Sequence, residues 1–265
     1  MLLRHVTSGP RAHLCDESFT FRGDNHDTVF VGNTGNHYVS FAPQNASGAG
    51  SNEHISLVLA EANTLNNTGV SGDLFDAIVV TAQHVVLRNN LLVTPIAGIV
   101  VTRDPSALLS NTFVDLITIS NNTMYTYPPV GSAPYLGFNI DFMDATGLHS
   151  PQGNVTIQNN IMSEGVLSTA STMVGTDGSG VVSFDHNLIY APNATGSLSN
   201  PRVGTGGVNN SDPKFVTNGS NFKLQATSPA LDVGANTHAY ESFGPAPDRP
   251  QGTGFDDGAF ERRNP

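Results

Sequence analysis

The sequence predicts an all-β chain wound as a stack of coils, and two observations carry that expectation. The first is a phrase that recurs at residues 85–92, 117–124, 155–162 and 182–189, as in Val85-Val86-Leu87-Arg88-Asn89-Asn90-Leu91-Leu92. Apolar residues alternate through each copy, the period of a strand with one face buried. Asn then stands where the strand should turn, since it tolerates left-handed backbone and its amide bonds neighbouring backbone groups. Asn90, Asn122, Asn160 and Asn187 lie 32, 38 and 27 residues apart, a period that marks stacked turns burying their apolar faces against one another. The second observation is composition. Only 12% of the 265 residues are charged and 27 are Gly, which suits short strands and tight turns, and no run of helix formers at helical spacing appears.

In chain order, residues 1–18 carry no period and read as an end segment. Strand candidates at 19–22, 28–31 and 38–41 are separated by Gly23-Asp24-Asn25 and Gly32-Asn33, good turn chemistry. Three strands with sharp corners would make one turn of a three-sided coil. Residues 55–65 add an alternating run through Ile55, Leu57 and Leu59. Beyond residue 76, Gly-apolar-x-apolar runs at 77–80, 98–101, 137–140 and 165–167 alternate with the Asn phrase. Runs on one side would climb as parallel strands roughly 4.8 Å apart, with the corner asparagines forming an internal ladder. Inserted loops at 105–111 and 127–134 would line one groove, where function concentrates in such coils. The whole is read as a single domain, with coils over 19–200 and a last coil and cap over 201–265.

The tail carries Asp212-Pro213-Lys214-Phe215-Val216, Asn221-Phe222-Lys223-Leu224, Ser228-Pro229-Ala230-Leu231-Asp232-Val233-Gly234 and Asp257-Gly258-Ala259-Phe260-Glu261. A stack of coils needs its open apolar end covered, and Gly- and Pro-rich segments crossing that end would do so. These ordered phrases resemble the C-terminal cap of right-handed parallel β-helix (pectate-lyase-like) proteins. There a Ser-Pro-Ala-apolar-Asp phrase precedes an Asp-x-Gly-Ala-aromatic-Glu close. Here Asp257 takes the usually apolar middle position, and the N-terminal phrase of many relatives is missing. The resemblance implies a right-handed parallel β-helix. It also implies a carbohydrate-active role, since many such proteins are polysaccharide lyases, hydrolases or epimerases and others are adhesins; fold alone does not choose among them.

Composition excludes other classes. Lys+Arg 11 against Asp+Glu 22 leaves a net charge of -11, which argues against nucleic acid and anionic membranes as partners. It also disfavours acidic polymers unless a local Arg or a bound cation intervenes. Cys15 stands alone, so no intrachain disulfide forms. No stretch approaches a membrane span, and residues 1–5 lack the apolar core of a signal peptide. A secreted or cell-surface place would then require export information outside this sequence. Sequons start at Asn45, Asn66, Asn121, Asn154, Asn193, Asn209 and Asn218; in so Asn- and Thr-rich a chain, chance accounts for them. A monomer or weak oligomer is expected.

The candidate chemistry lies on the Gly-apolar runs. Aligning Ile99 with Phe138 and Val101 with Ile140 puts Thr81, Thr102 and Asp141 in one outward column, with Asp104 further along. Asp104 and Asp141 would then be roughly 8 Å apart, inside the roughly 6.5–9.5 Å range for inverting hydrolysis. Turn capping is the competing account of Asp104 before Pro105 and of Asp144 before Gly147. The expected catalytic set is Arg103, Asp104 and Asp141. A lyase would need a base, and a calcium ion held by Asp141 and Asp144 would neutralise a uronate. Lys214 and Lys223, the only lysines, belong to the tail. Arg88, Arg103, His84 and Tyr135 then remain as candidate bases; Arg88, His84 and Tyr135 are also read as substrate-binding, with Tyr125 and Tyr127 as surface rings for stacking on sugars. Most of the Phe residues are read as interior filling, and turn chemistry also accounts for His84 and His186. The reading is a polysaccharide lyase acting on an extracellular uronate polymer. An inverting glycoside hydrolase or a non-catalytic carbohydrate-binding module is the alternative.

Overall fold

Asparagine at one corner of each rung and apolar residues at alternate strand positions wind this chain into a parallel β-helix. The computed structural model describes residues 1–4, 6, 19–21, 25–36, 38–41, 55–67, 77–94, 98–102, 115–126, 139–143, 154–164, 174–175, 181–192, 202–237, 250 and 252–262. Its strands form two 7-stranded sheets and one 6-stranded sheet, all three parallel, in which each neighbour comes from the next turn of the coil, and the tail adds an antiparallel pair, Phe215–Thr217 with Asn221–Leu224. A typical rung runs from Ile78–Val80 in the third sheet through Gln83–Arg88 in the first to Leu91–Thr94 in the second. The next runs through Ile99–Thr102, Asp115–Ser120 and Thr123–Thr126. Ile78, Val85, Leu87, Leu92, Ile99, Ile117, Ile119 and Met124 are all buried in the central core. The lower end is filled by rings: Phe21 stacks on Phe41 at 4.9 Å, and Phe30 meets both edge-on.

Several boundaries differ from the sequence expectation. Leu2–Arg4 is not a loose end segment but the first strand of the first sheet, paired with Asn25–Val31. Phe19–Phe21 and Val39–Phe41 do not share a turn; they pair across successive turns of the third sheet. Between them the chain passes through Asn25–Val31 and Thr34–Gly35, which complete the first turn. In Ile55–Glu61 the alternation breaks: Ile55, Val58 and Ala60 point into the core, while Leu57 is half exposed with φ 56°.

At the corner between first and second sheets, each rung places a residue with positive φ followed by a buried asparagine. The left-handed residues are Gly32, Ala62, Asn89, Asn121, Asn159 and His186. The asparagines after them, Asn33, Asn63, Asn90, Asn122, Asn160 and Asn187, are each at most 1% exposed. The Nδ2 of each of the first five donates to the Oδ1 of the next rung's asparagine, at 3.1, 2.9, 2.9, 3.0 and 3.0 Å. Each also donates to a strand carbonyl, as Asn122 does to Leu87 O at 2.9 Å. Every Oδ1 in turn accepts a backbone N–H; that of Asn122 takes the N–H of Asn90 at 3.0 Å. A side chain that satisfies its own amide and the orphaned backbone of a turn can be buried without the penalty of an unpaired polar group.

The described part of the tail lies against the flank of the stack, and residues 238–249, 251 and 263–265 lie outside the described residues. Arg202–Asn209 occupies the last rung, where Val203 packs on the core and Val208–Asn209 joins the second sheet. The described residues beyond it fold back along the outside of that sheet. Phe215, Phe222, Leu224 and Ala230 bury against Val93, Ile161 and Leu188. The phrases of the tail knit to one another: Ser228 Oγ donates to Pro213 O at 2.6 Å, and Asp232 Oδ1 accepts Gly254 N–H at 2.7 Å. Asp257 is wholly buried, with its N–H on Ala230 O.

Candidate functional site

The first-sheet strands begin where the connections from the third sheet arrive, and polar side chains collect there. Register sets His26, Ser56, Gln83 and Asp115 side by side on four successive rungs. His26 Nδ1 lies 2.6 Å from Ser56 Oγ. On the next rung Asn154 gives Asp115 Oδ1 both its backbone N–H, at 2.8 Å, and its side-chain amide, at 3.2 Å. Leu116 N–H joins them at 2.9 Å. All three donors use one oxygen, leaving Oδ2 towards solvent. The Asn154 N–H, chiefly, and the Leu116 N–H hold the Asp115 carboxyl below its ordinary range against the small cost of desolvation, and His84 adds to the effect. At about 4.8 Å per rung the row from His26 to Asn154 spans roughly 19 Å.

Just inside this row the four rungs from His26 to Asp115 each carry one left-handed residue. Asp27, Leu57, His84 and Leu116 have φ between 53° and 56°. The register skips each of them, since His26 pairs with Ser56 and Thr28 with Val58. His84, expected to bind substrate, is exposed and stands next to Gln83 on this face.

The remaining expected residues fall elsewhere. Arg88 sits at the far end of the same strand, at the asparagine corner, with its Nη2 3.4 Å from Glu61 Oε2. Tyr125 is on the second sheet beneath the tail, its ring 5.3 Å from that of Phe222, and burial pushes its hydroxyl pKa up. It is no open platform for a sugar. Asp141 does point away from the core, but it is only 2% exposed. It pairs with Val100, because Ile99 aligns with Ile140 and not with Phe138. The offset assumed for the Asp104–Asp141 separation is therefore not the one the sheet has. Arg103, Asp104, Tyr127, Tyr135 and Asp144 lie outside the described residues. So does the run 165–167, and the next third-sheet strand is Val174–Gly175. Among the described residues no three His, Cys, Asp or Glu side chains gather as metal ligands. Of Asp141 and Asp144, expected to hold calcium, Asp141 alone is among the described residues. No helix is long and apolar enough to cross a membrane.

Sequence reasoning missed Asp115, Ser56 and His26. Asp115 lies two residues before Ile117, where the recurring phrase begins, and that fixed offset was the signal available.

No family model matches the chain, and no curated protein matches it. Among solved structures, a crystal structure of pectate lyase Pel9A is similar at 13% identity and a TM-score of 0.43, covering 93% of this chain and 68% of that one.

Proposed function

We propose that the protein is carbohydrate-active: it takes an extended polysaccharide along the His26–Asn154 row and cleaves it by β-elimination at groups on the adjoining connections. The observation that carries the reading is the row itself, a line of hydroxyl, imidazole, amide and carboxylate groups at rung spacing. Such groups exchange hydrogen bonds with sugar hydroxyls at every step. In sequence, Arg103 and Asp104 open the connection that ends at Asp115, and Asp144 opens the one that ends at Asn154. Arg103 takes the role of base, and Asp104 and Asp141 complete the catalytic set. Calcium bound through Asp141 and Asp144 would supply neutralisation of the uronate carboxylate. The polymer in this reading is extracellular.

Hydrolysis is the second reading, favoured by one observation: Asp115 is held ionised with a free oxygen, ready to orient water, in a chain of net charge -11. The test is a panel of neutral and uronate polysaccharides assayed for unsaturated-product absorbance and, separately, for new reducing ends. Elimination gives both signals and hydrolysis gives the second alone. Asp104→Ala and Asp141→Asn are expected to lower the rate about 10²-fold or more, with melting curves run beside them. Unchanged turnover in both variants removes these residues from the site.

A further inference from the structure

The polysaccharide reading uses the first-sheet row as a line of hydrogen-bonding groups and gives the contact between its first two members no chemical role. His26 Nδ1 and Ser56 Oγ are 2.6 Å apart, with the imidazole exposed and the serine half-buried. A serine hydroxyl is a weak nucleophile until an adjacent base takes its proton, and a close contact with a ring nitrogen places that base. With the ring proton on Nε2, Nδ1 accepts the Ser56 hydroxyl.

Two further groups stand where acyl transfer needs them. On the Asp115 rung the left-handed residue turns its N–H to the preceding side chain, Leu116 N lying 2.9 Å from Asp115 Oδ1. Leu57 holds the same place after Ser56, at φ 56° against 54° for Leu116. Register carries the two backbones on one course, two rungs apart, so the Leu57 N–H is directed to the Ser56 side chain. The N–H of the residue after the nucleophile is a donor that serine hydrolases use for the oxyanion. Ser56 also pairs with Gln83, about 4.8 Å away on the next rung, and a carboxamide is a second such donor. Base, nucleophile and oxyanion donor thus come from three successive rungs, at a spacing the stack itself sets.

We infer that Ser56 and His26 form an ester-hydrolysing site that removes acyl groups from sugar hydroxyls. Ser56 Oγ attacks the ester carbonyl as His26 Nδ1 takes its proton. Leu57 N–H and the Gln83 amide hold the charge that develops on the carbonyl oxygen. The bond from that carbon to the sugar oxygen breaks, and His26 returns the proton to the departing sugar. Water, giving a proton to His26, then cleaves the acyl-serine, and that proton restores Ser56. The sum is ester plus water giving alcohol plus carboxylic acid. The sugar side of this assignment rests on the polysaccharide reading, since Asp115 and Asn154 continue the row beyond Gln83; the ester chemistry does not.

The experiment measures acetate released from glucose pentaacetate by the wild type, Ser56→Ala, His26→Ala and Gln83→Ala, with melting curves for each. Beside it, mass spectrometry locates the label left by a fluorophosphonate, which phosphonylates activated serines. The wild type is expected to release acetate and to carry its label on Ser56. Ser56→Ala and His26→Ala should each lose the label and about 10²-fold or more of the release. Gln83→Ala should keep the label and release acetate about 10²-fold more slowly. Added imidazole should restore part of the release to His26→Ala and none to Ser56→Ala, which a merely structural histidine would not allow. No release and no label in the wild type overturns the inference, as does release that survives in Ser56→Ala. Either result leaves the polysaccharide reading standing, because chain cleavage is scored by unsaturated product and reducing ends and not by acetate. A wild type that takes the label and cleaves 4-nitrophenyl acetate, but not the sugar ester, overturns the substrate assigned.

Discussion

Where the first-sheet strands end, each rung spends one left-handed residue and then buries an asparagine whose four hydrogen bonds run to the rungs above and below. Where the same strands begin, four rungs again spend one left-handed residue each, but the side chains stand in solvent. The tail widens the difference. It closes over the strand-end corner, with Asn159 clasping Ala235 through both amide atoms at 2.8 and 2.6 Å, and with Ala259 N–H on Thr123 Oγ1 at 2.9 Å. One backbone device thus serves two ends. At the satisfied corner it holds successive rungs in register, and at the open corner it leaves side chains exposed at rung spacing.

The largest effect should come from breaking the closed corner. Asn122→Ala removes two donors and an acceptor shared by three rungs, and is expected to cost about 3–5 kcal/mol in denaturant unfolding. A loss below about 1 kcal/mol would show that the two corners do not differ as described. The tail that covers this corner supplies the next test. Burial, chiefly, raises the Asp256 carboxyl pKa to about 6, although it accepts N–H groups from Asp232 and Arg262. Folded protein therefore holds a proton between about pH 4 and pH 6 that the unfolded chain has released, so stability falls as pH rises through that window and levels above it. The fall should be about 1–2 kcal/mol, and Asp256→Asn should flatten it. The smallest effect sharpens the comparison from the backbone side. Ala62 has φ 55° where Gly32 stands one rung below, so Ala62→Gly should stabilise by about 1 kcal/mol. No gain would mean that this corner's left-handed turns carry no strain to relieve.

Much of the closed corner was legible from residues alone, because a buried amide repeated at fixed spacing leaves few other ways to satisfy it. Val85, Leu87, Ile117 and Ile119 face inward as their alternation requires. The third-sheet register was not legible. Gly137 mimics Gly98 in sequence, yet Asn139 is the residue across from it, since inserted connections between rungs carry no count that fixes the offset. For the same reason Asp141 faces outward as expected but stands beside Val100 instead of Thr102.

By itself the sequence determined that the chain is all-β, coiled, and stitched at one corner by asparagine, because strand periodicity and amide chemistry are local properties read residue by residue. Only the tertiary structure decided that Leu57 escapes its strand's alternation, that Arg88 is bound to Glu61, that the tail lies along a flank, and that Asp115 gathers with His26, Ser56 and His84. Those facts depend on which rung lies against which, and stacking brings together residues about 30 positions apart with no mark in the intervening chain.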